Sequence, residues 1–91
     1  MTEALNLLPI GTVVTLHKNP KKLMIIGIKQ LDKETQETSD YIAVLYPEGF
    51  ITRDILFKFN HEDIMDIIYK GYENSEQEEF LKKVNKILSE K

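Results

Sequence analysis

The chain has 91 residues, 42% of them apolar, a net charge of −3 and no cysteine. That length supports one modest core, and the missing cysteines exclude disulfides, thiolate metal sites and cysteine nucleophiles together. Acidic residues outnumber basic ones by 15 to 12, which disfavours nucleic acid as a partner, because phosphate binding rests on a basic surface. No apolar stretch has the length of a membrane span, and the start, MTEALNLLPIG, has neither the basic region nor the long apolar segment of a secretory signal. The expectation is therefore a cytoplasmic protein with no membrane insertion, compatible with a reducing compartment.

In chain order, Leu7, Leu8 and Ile10 surround Pro9 and lead to Gly11, a segment suited to packing rather than a loose tail. Thr12–Leu16 (TVVTL) is rich in β-branched residues and predicts a strand. The basic cluster HKNPKK, His17 to Lys22, contains Asn19 and Pro20 and predicts a solvated loop that reverses the chain. KLMIIGIKQL follows as the most apolar segment. Alternation puts Leu23, Ile25 and Leu31 on one face and Met24, Ile26 and Ile28 on the other, the pattern of a central strand covered on both sides. Gly27 in its middle predicts a bulge or a close backbone approach.

Asp32 to Asp40 (DKETQETSD) is polar throughout and predicts an exposed connection, and YIAVLY after it a third strand with bulk on both faces. Tyr46-Pro47-Glu48-Gly49 fits a type I turn with Pro47 second, and Gly49 can take the left-handed conformation that completes a three-residue hairpin with a bulge. Such a hairpin joins YIAVLY directly to FITRDILFKF, where Ile55, Phe57 and Phe59 alternate with Leu56 and Lys58. NHEDIMDIIYKGY reads two ways: a helix capped by Asn60 with Ile64, Ile67 and Ile68 on one face, or a turn over Asn60–Ile64 followed by a strand.

The last segment is plainer. Ser75 and Glu78 have capping-box spacing, and Phe80, Leu81, Val84, Ile87 and Leu88 form an apolar stripe that predicts a helix packed across one sheet face.

Chemistry is sparse. His17 and His61 have no second ligand at metal spacing, Ser39 and Ser75 lie in no nucleophile elbow, and Gly11, Gly27, Gly49 and Gly71 are too far apart for a phosphate loop. His61-Glu62-Asp63 suits the capping of a turn. Carboxylates are abundant, but a general acid or base needs a cleft that shifts its pKa, and a domain this small has little room for one beside its core. The reading is a binding module that is not an enzyme and uses no cofactor. The aromatics flanking the turn, Tyr46 and Phe50, have the character of binding anchors.

Taken together, LLPIGTVV, KKLMIIG, DYIAVLYPEGF and IIYKGYENSEQEEF resemble a domain-of-unknown-function family of small Gram-positive proteins encoded beside LXG toxins in type VII secretion loci. The resemblance runs from Leu7 to about Phe80, and LPIG and YPEGF are its specific parts. The family's pattern of alternating apolar residues before a Gly-Tyr ending matches Ile67, Ile68, Tyr69, Gly71 and Tyr72, which favours the turn-plus-strand reading of residues 60–70. Ile28 and Lys29 depart from a more basic pair in the relatives.

The resemblance implies an accessory protein: a chaperone or targeting factor for the helical N-terminal region of an LXG toxin, with further small helical secretion partners and possible co-export. Two other readings stay open, an immunity protein against the toxin's C-terminal domain and a small β-barrel that reads nucleic acid. The partner-binding candidates are Tyr46, Pro47, Glu48, Gly49 and Phe50, together with Lys83 and Lys86 on the helix. The fold expected is α+β, one domain over 1–91: an antiparallel sheet of four to five strands within 12–31, 41–59 and 65–70, with a helix over about 75–89. An SH3-like barrel with an appended helix is the alternative.

Overall fold

A computed structural model describes residues 6–31 and 34–89. Five strands form one open antiparallel sheet: β1 (Val13–Leu16), β2 (Asn19–Leu31), β3 (Thr38–Leu45), β4 (Phe57–Phe59) and β5 (Ile64–Tyr69), with a C-terminal helix α1 (Ser75–Ser89). The strand order is β4-β3-β2-β1-β5. The fold is thus the expected α+β arrangement, an open sheet rather than a closed barrel. Met1–Leu5, Asp32 and Lys33 lie outside the described residues, as do the side chains of Gln30, Leu31, Leu88 and Ser89; the face expected for Leu31 and the place of Leu88 in the helix stripe fall there.

β2 is the central strand, as its two apolar faces predict. Leu23 and Ile25 are fully buried on the helix side, joined by Val14, Tyr41, Ala43 and Phe59 from neighbouring strands, by Leu7 and Leu8, and by Leu81 of α1. Each such aliphatic side chain contributes about 1.5–3 kcal/mol on leaving water.

The bulge foreseen at Gly27 is present, since Ile25 pairs with Ala43 and Gly27 with Ile42, leaving Ile26 as the extra residue. Its consequence corrects the predicted faces. One inserted residue reverses the alternation, so Ile28 packs against the core with Leu23 and Ile25 while Ile26 stays exposed. The expectation that both faces of β2 are covered fails in the same place. α1 covers one face, and Met24 and Ile26 on the other remain partly or largely accessible.

Several boundaries also move. The β1–β2 turn is His17-Lys18, because Leu16 pairs with Asn19 and Pro20 already lies in β2. FITRDILFKF supplies only the three residues of β4, and residues 50–56 form a connection outside the strands. The turn at Gly49 closes on Leu45 instead, with the Gly49 N–H donating to the Leu45 carbonyl at 2.7 Å. Gly49 has the anticipated positive φ of 80°, but this bond closes five residues, Leu45 to Gly49, rather than the four of the expected type I turn. Residues 60–70 are a 3-10 turn, His61–Asp63, followed by β5.

The α1 cap is Asn74, one residue before the predicted Ser75: its Oδ1 accepts the Gln77 N–H at 2.9 Å. The apolar stripe of α1 divides. Leu81 and Val84 reach the core, whereas Phe80 and Ile87 are exposed.

Candidate partner-binding face

Directly paired residues of antiparallel strands project to the same side of a sheet. Val44 pairs with Met24, Met24 with Val13, and Val13 with Tyr69, so one apolar row crosses four strands on the face away from α1. Next to this row, Tyr46 donates its N–H to the Lys22 carbonyl at 3.0 Å, which brings the end of β3 alongside β2. The result is a groove of about 460 Å³ lined by Gly11, Val13, Lys22, Met24, Tyr46, Ile68 and Tyr69. Tyr46 is 45% exposed, Ile68 50% and Tyr69 65%, an accessible aromatic and aliphatic surface of the kind that marks interaction sites.

Backbone packing holds the rim of this groove together. Gly11 has φ of +93°, a left-handed value open to glycine at no steric cost, and its N–H donates to the Ile25 carbonyl at 2.8 Å. A Cβ on Gly71 would lie 2.4 Å from the Ile10 carbonyl oxygen, so only glycine allows the chain leaving β5 to pass there. Thr12 locks the crossing: its hydroxyl donates to the Pro9 carbonyl at 2.7 Å and accepts the Gly71 N–H at 3.0 Å. Three stretches distant in sequence, LPIG, LYPEGF and IIYKGY, therefore meet around one surface.

Of the predicted binding residues, Tyr46 lines the groove. Pro47 and Glu48 are exposed beside it. The Glu48 carboxylate accepts from Lys21 Nζ at 2.8 and 3.0 Å, and that hydrogen bond holds its pKa below the usual carboxylate range. Gly49 closes the turn, and Phe50 is 60% exposed and thus outside the core. Lys83 and Lys86 are exposed on α1, on the opposite side of the sheet. The predicted set is therefore two surfaces, not one.

Gly11, Val13, Lys22, Met24, Ile68 and Tyr69 are the groove residues that sequence reasoning missed. Alternation placed Met24 opposite Leu23, but only the strand order brings β5 beside β1.

A second polar constellation lies at the other end of β3. Asp40, expected in an exposed connection, is instead buried and accepts from Lys29 Nζ at 2.7 Å and from the His61 N–H at 3.0 Å. Its own N–H donates to Asn60 Oδ1 at 3.1 Å. The buried Tyr41 hydroxyl accepts the Leu8 N–H at 3.0 Å and lies 2.7 Å from His61 Nδ1, and burial raises its pKa. These bonds tie the lead-in segment and the 3-10 turn to β3. Among the described residues, no group of three His, Cys, Asp or Glu side chains is placed to hold a metal ion, and no helix is long and apolar enough to cross a membrane.

Residues 7–80 match the family described as Domain of unknown function (DUF4176). The chain belongs to the DUF4176 family. The match spans the same Leu7–Phe80 stretch on which the resemblance was read, and it includes every strand and the residues lining the groove. No curated protein and no solved structure matches the chain significantly. For this DUF4176 member, the arrangement of its own surfaces carries the functional argument.

Proposed function

We propose that this protein is a non-enzymatic accessory factor, a chaperone or targeting adaptor that binds the helical N-terminal region of an LXG toxin in the cytoplasm before type VII export. The supporting observation is the part of the sheet face away from α1 where Met24, Tyr46, Ile68 and Tyr69 are accessible around a buried Val13 and line a groove. A long helix with an apolar seam aggregates when unpartnered, and a small protein that covers the seam keeps it soluble. The groove is open rather than enclosed, which suits a macromolecular surface better than a small substrate.

Co-expression of the full chain with the toxin's N-terminal region from the same locus tests the proposal. A stoichiometric complex that survives mild salt is expected. Failure to co-purify removes the adaptor reading, and protection of cells that express only the toxic C-terminal domain replaces it with immunity.

A further inference from the structure

The open face has a distinct chemical polarity. Among the described residues, Lys22 is the only charged one lining the groove. The neighbouring lysines are already neutralised, Lys21 by Glu48 at 2.8 Å and Lys70 by Glu73 at 3.1 Å. Lys22 makes no ion pair among the described residues, and it is exposed. Asp66 pairs with Thr15 of β1, two residues along from Val13, so it lies on the same face but farther along β5 and does not line the groove. A single uncompensated cation thus borders an apolar floor of Val13 and Met24, with tyrosines on either side.

The shape restricts what can lie there. Val44 and Val13 are buried, so the accessible part of the row runs over β2, β1 and β5, from Met24 to Tyr69. That is roughly 10 Å at the usual strand spacing, close to the diameter of a helix, about 10 Å. An extended peptide would instead add to a sheet edge, and both edges are poor templates. β4 has three residues. β5 has extra residues at Met65 and Ile68 relative to β1, and bulges of this kind blunt an edge against further pairing.

We infer that the groove takes an amphipathic helix of a partner protein whose apolar stripe is bordered by carboxylates, with Lys22 pairing one of them. The helix would mirror α1 across the sheet and convert two layers into three. This inference rests on the adaptor reading above and specifies the client's chemistry: an acidic-flanked apolar stripe binds and a lysine-flanked one is refused. Charge placed beside an apolar contact sets specificity more than raw affinity.

The test uses the full chain and two synthetic helices of about 20 residues, long enough to hold helical structure in water. Both have the same leucine stripe, one flanked by glutamate and the other by lysine. Titration followed by methyl NMR should show the glutamate helix perturbing Val13, Met24 and Ile68. The lysine helix should bind about tenfold more weakly, and Lys22→Glu should invert that preference, with Lys22→Gln in between. Equal affinity for both helices, or perturbation confined to Phe80 and Ile87 on α1, overturns the inference.

Toxin capture separates the two levels of the argument. If wild type and Lys22→Glu capture the toxin region equally, the charge inference fails and the adaptor reading stands. If wild type captures no toxin region yet prefers the glutamate helix, the adaptor reading fails and the inference stands.

Discussion

The two faces of the sheet are built from the same strands, and β2 shows how differently they are used. Leu23 and Ile25 point toward α1 and are 0% exposed, while Lys22 and Ile26 reach solvent on the other side. Both faces carry apolar side chains, and Val13 and Val44 are buried on the second as well. What differs is the cover: Leu81 and Val84 of α1 close one face, and the other is left to a groove between Tyr46 and Tyr69. A hydrophobic residue in a strand therefore states a need for burial without stating what supplies it. On the closed face the need is met within the chain, and the proposal above assigns the open face to a partner.

Paired substitutions test that contrast most strongly. Leu23→Ala should cost about 2–5 kcal/mol in denaturant unfolding through lost burial and a cavity. Met24→Ala, one residue away on the open face, should cost about 1 kcal/mol or less. Comparable losses at both positions would mean that the open face is as integral to the core as the closed one.

Gly71→Ala comes next. Its Cβ would collide with the Ile10 carbonyl, and about 2 kcal/mol of destabilisation is expected, seen as a lower melting temperature. An unchanged melting temperature would show that the crossing at Thr12 relaxes freely.

Binding variants at exposed aromatics should separate from stability. Tyr69→Ala and Phe50→Ala remove exposed rings, so each should weaken toxin capture by roughly tenfold, typical of a binding anchor, with the melting temperature nearly unchanged. A collapse in melting temperature for Phe50→Ala would return that ring to the core.

The smallest effect is electrostatic. Lys21 lowers the Glu48 pKa, so the ionised carboxylate is favoured in the fold. Its contribution is present above the ordinary carboxylate range and is lost as pH falls through the lowered value. Both groups are exposed, so the change should be slight and should vanish in Glu48→Gln, as salt-screened pH titrations of stability can check.

Much of this was legible in the residues. β-branched runs located β1 and β3, helical spacing located α1, and Gly27 marked the bulge in β2. The failures were of two physical kinds. Local rules assign turns by residue type, so they point to Ser75 as the cap although Asn74 supplies the acceptor, and to a hairpin at LYPEGF although its turn closes on Leu45 and β4 comes later. Polar composition was also taken for exposure, yet Asp40 is buried because Lys29 and the His61 N–H satisfy it across the fold.

The sequence by itself determined most element types, the central position of β2 and the presence of two apolar faces, because periodicity and propensity act over a few neighbouring residues; residues 60–70, which fit a helix as well as a turn and strand, it left open. Only the tertiary structure decided which face α1 covers, that β5 lies beside β1, and that Gly11, Tyr46 and Tyr69 border one groove. Those outcomes depend on pairing between residues far apart in the chain. No local pattern encodes which strand edge will meet which.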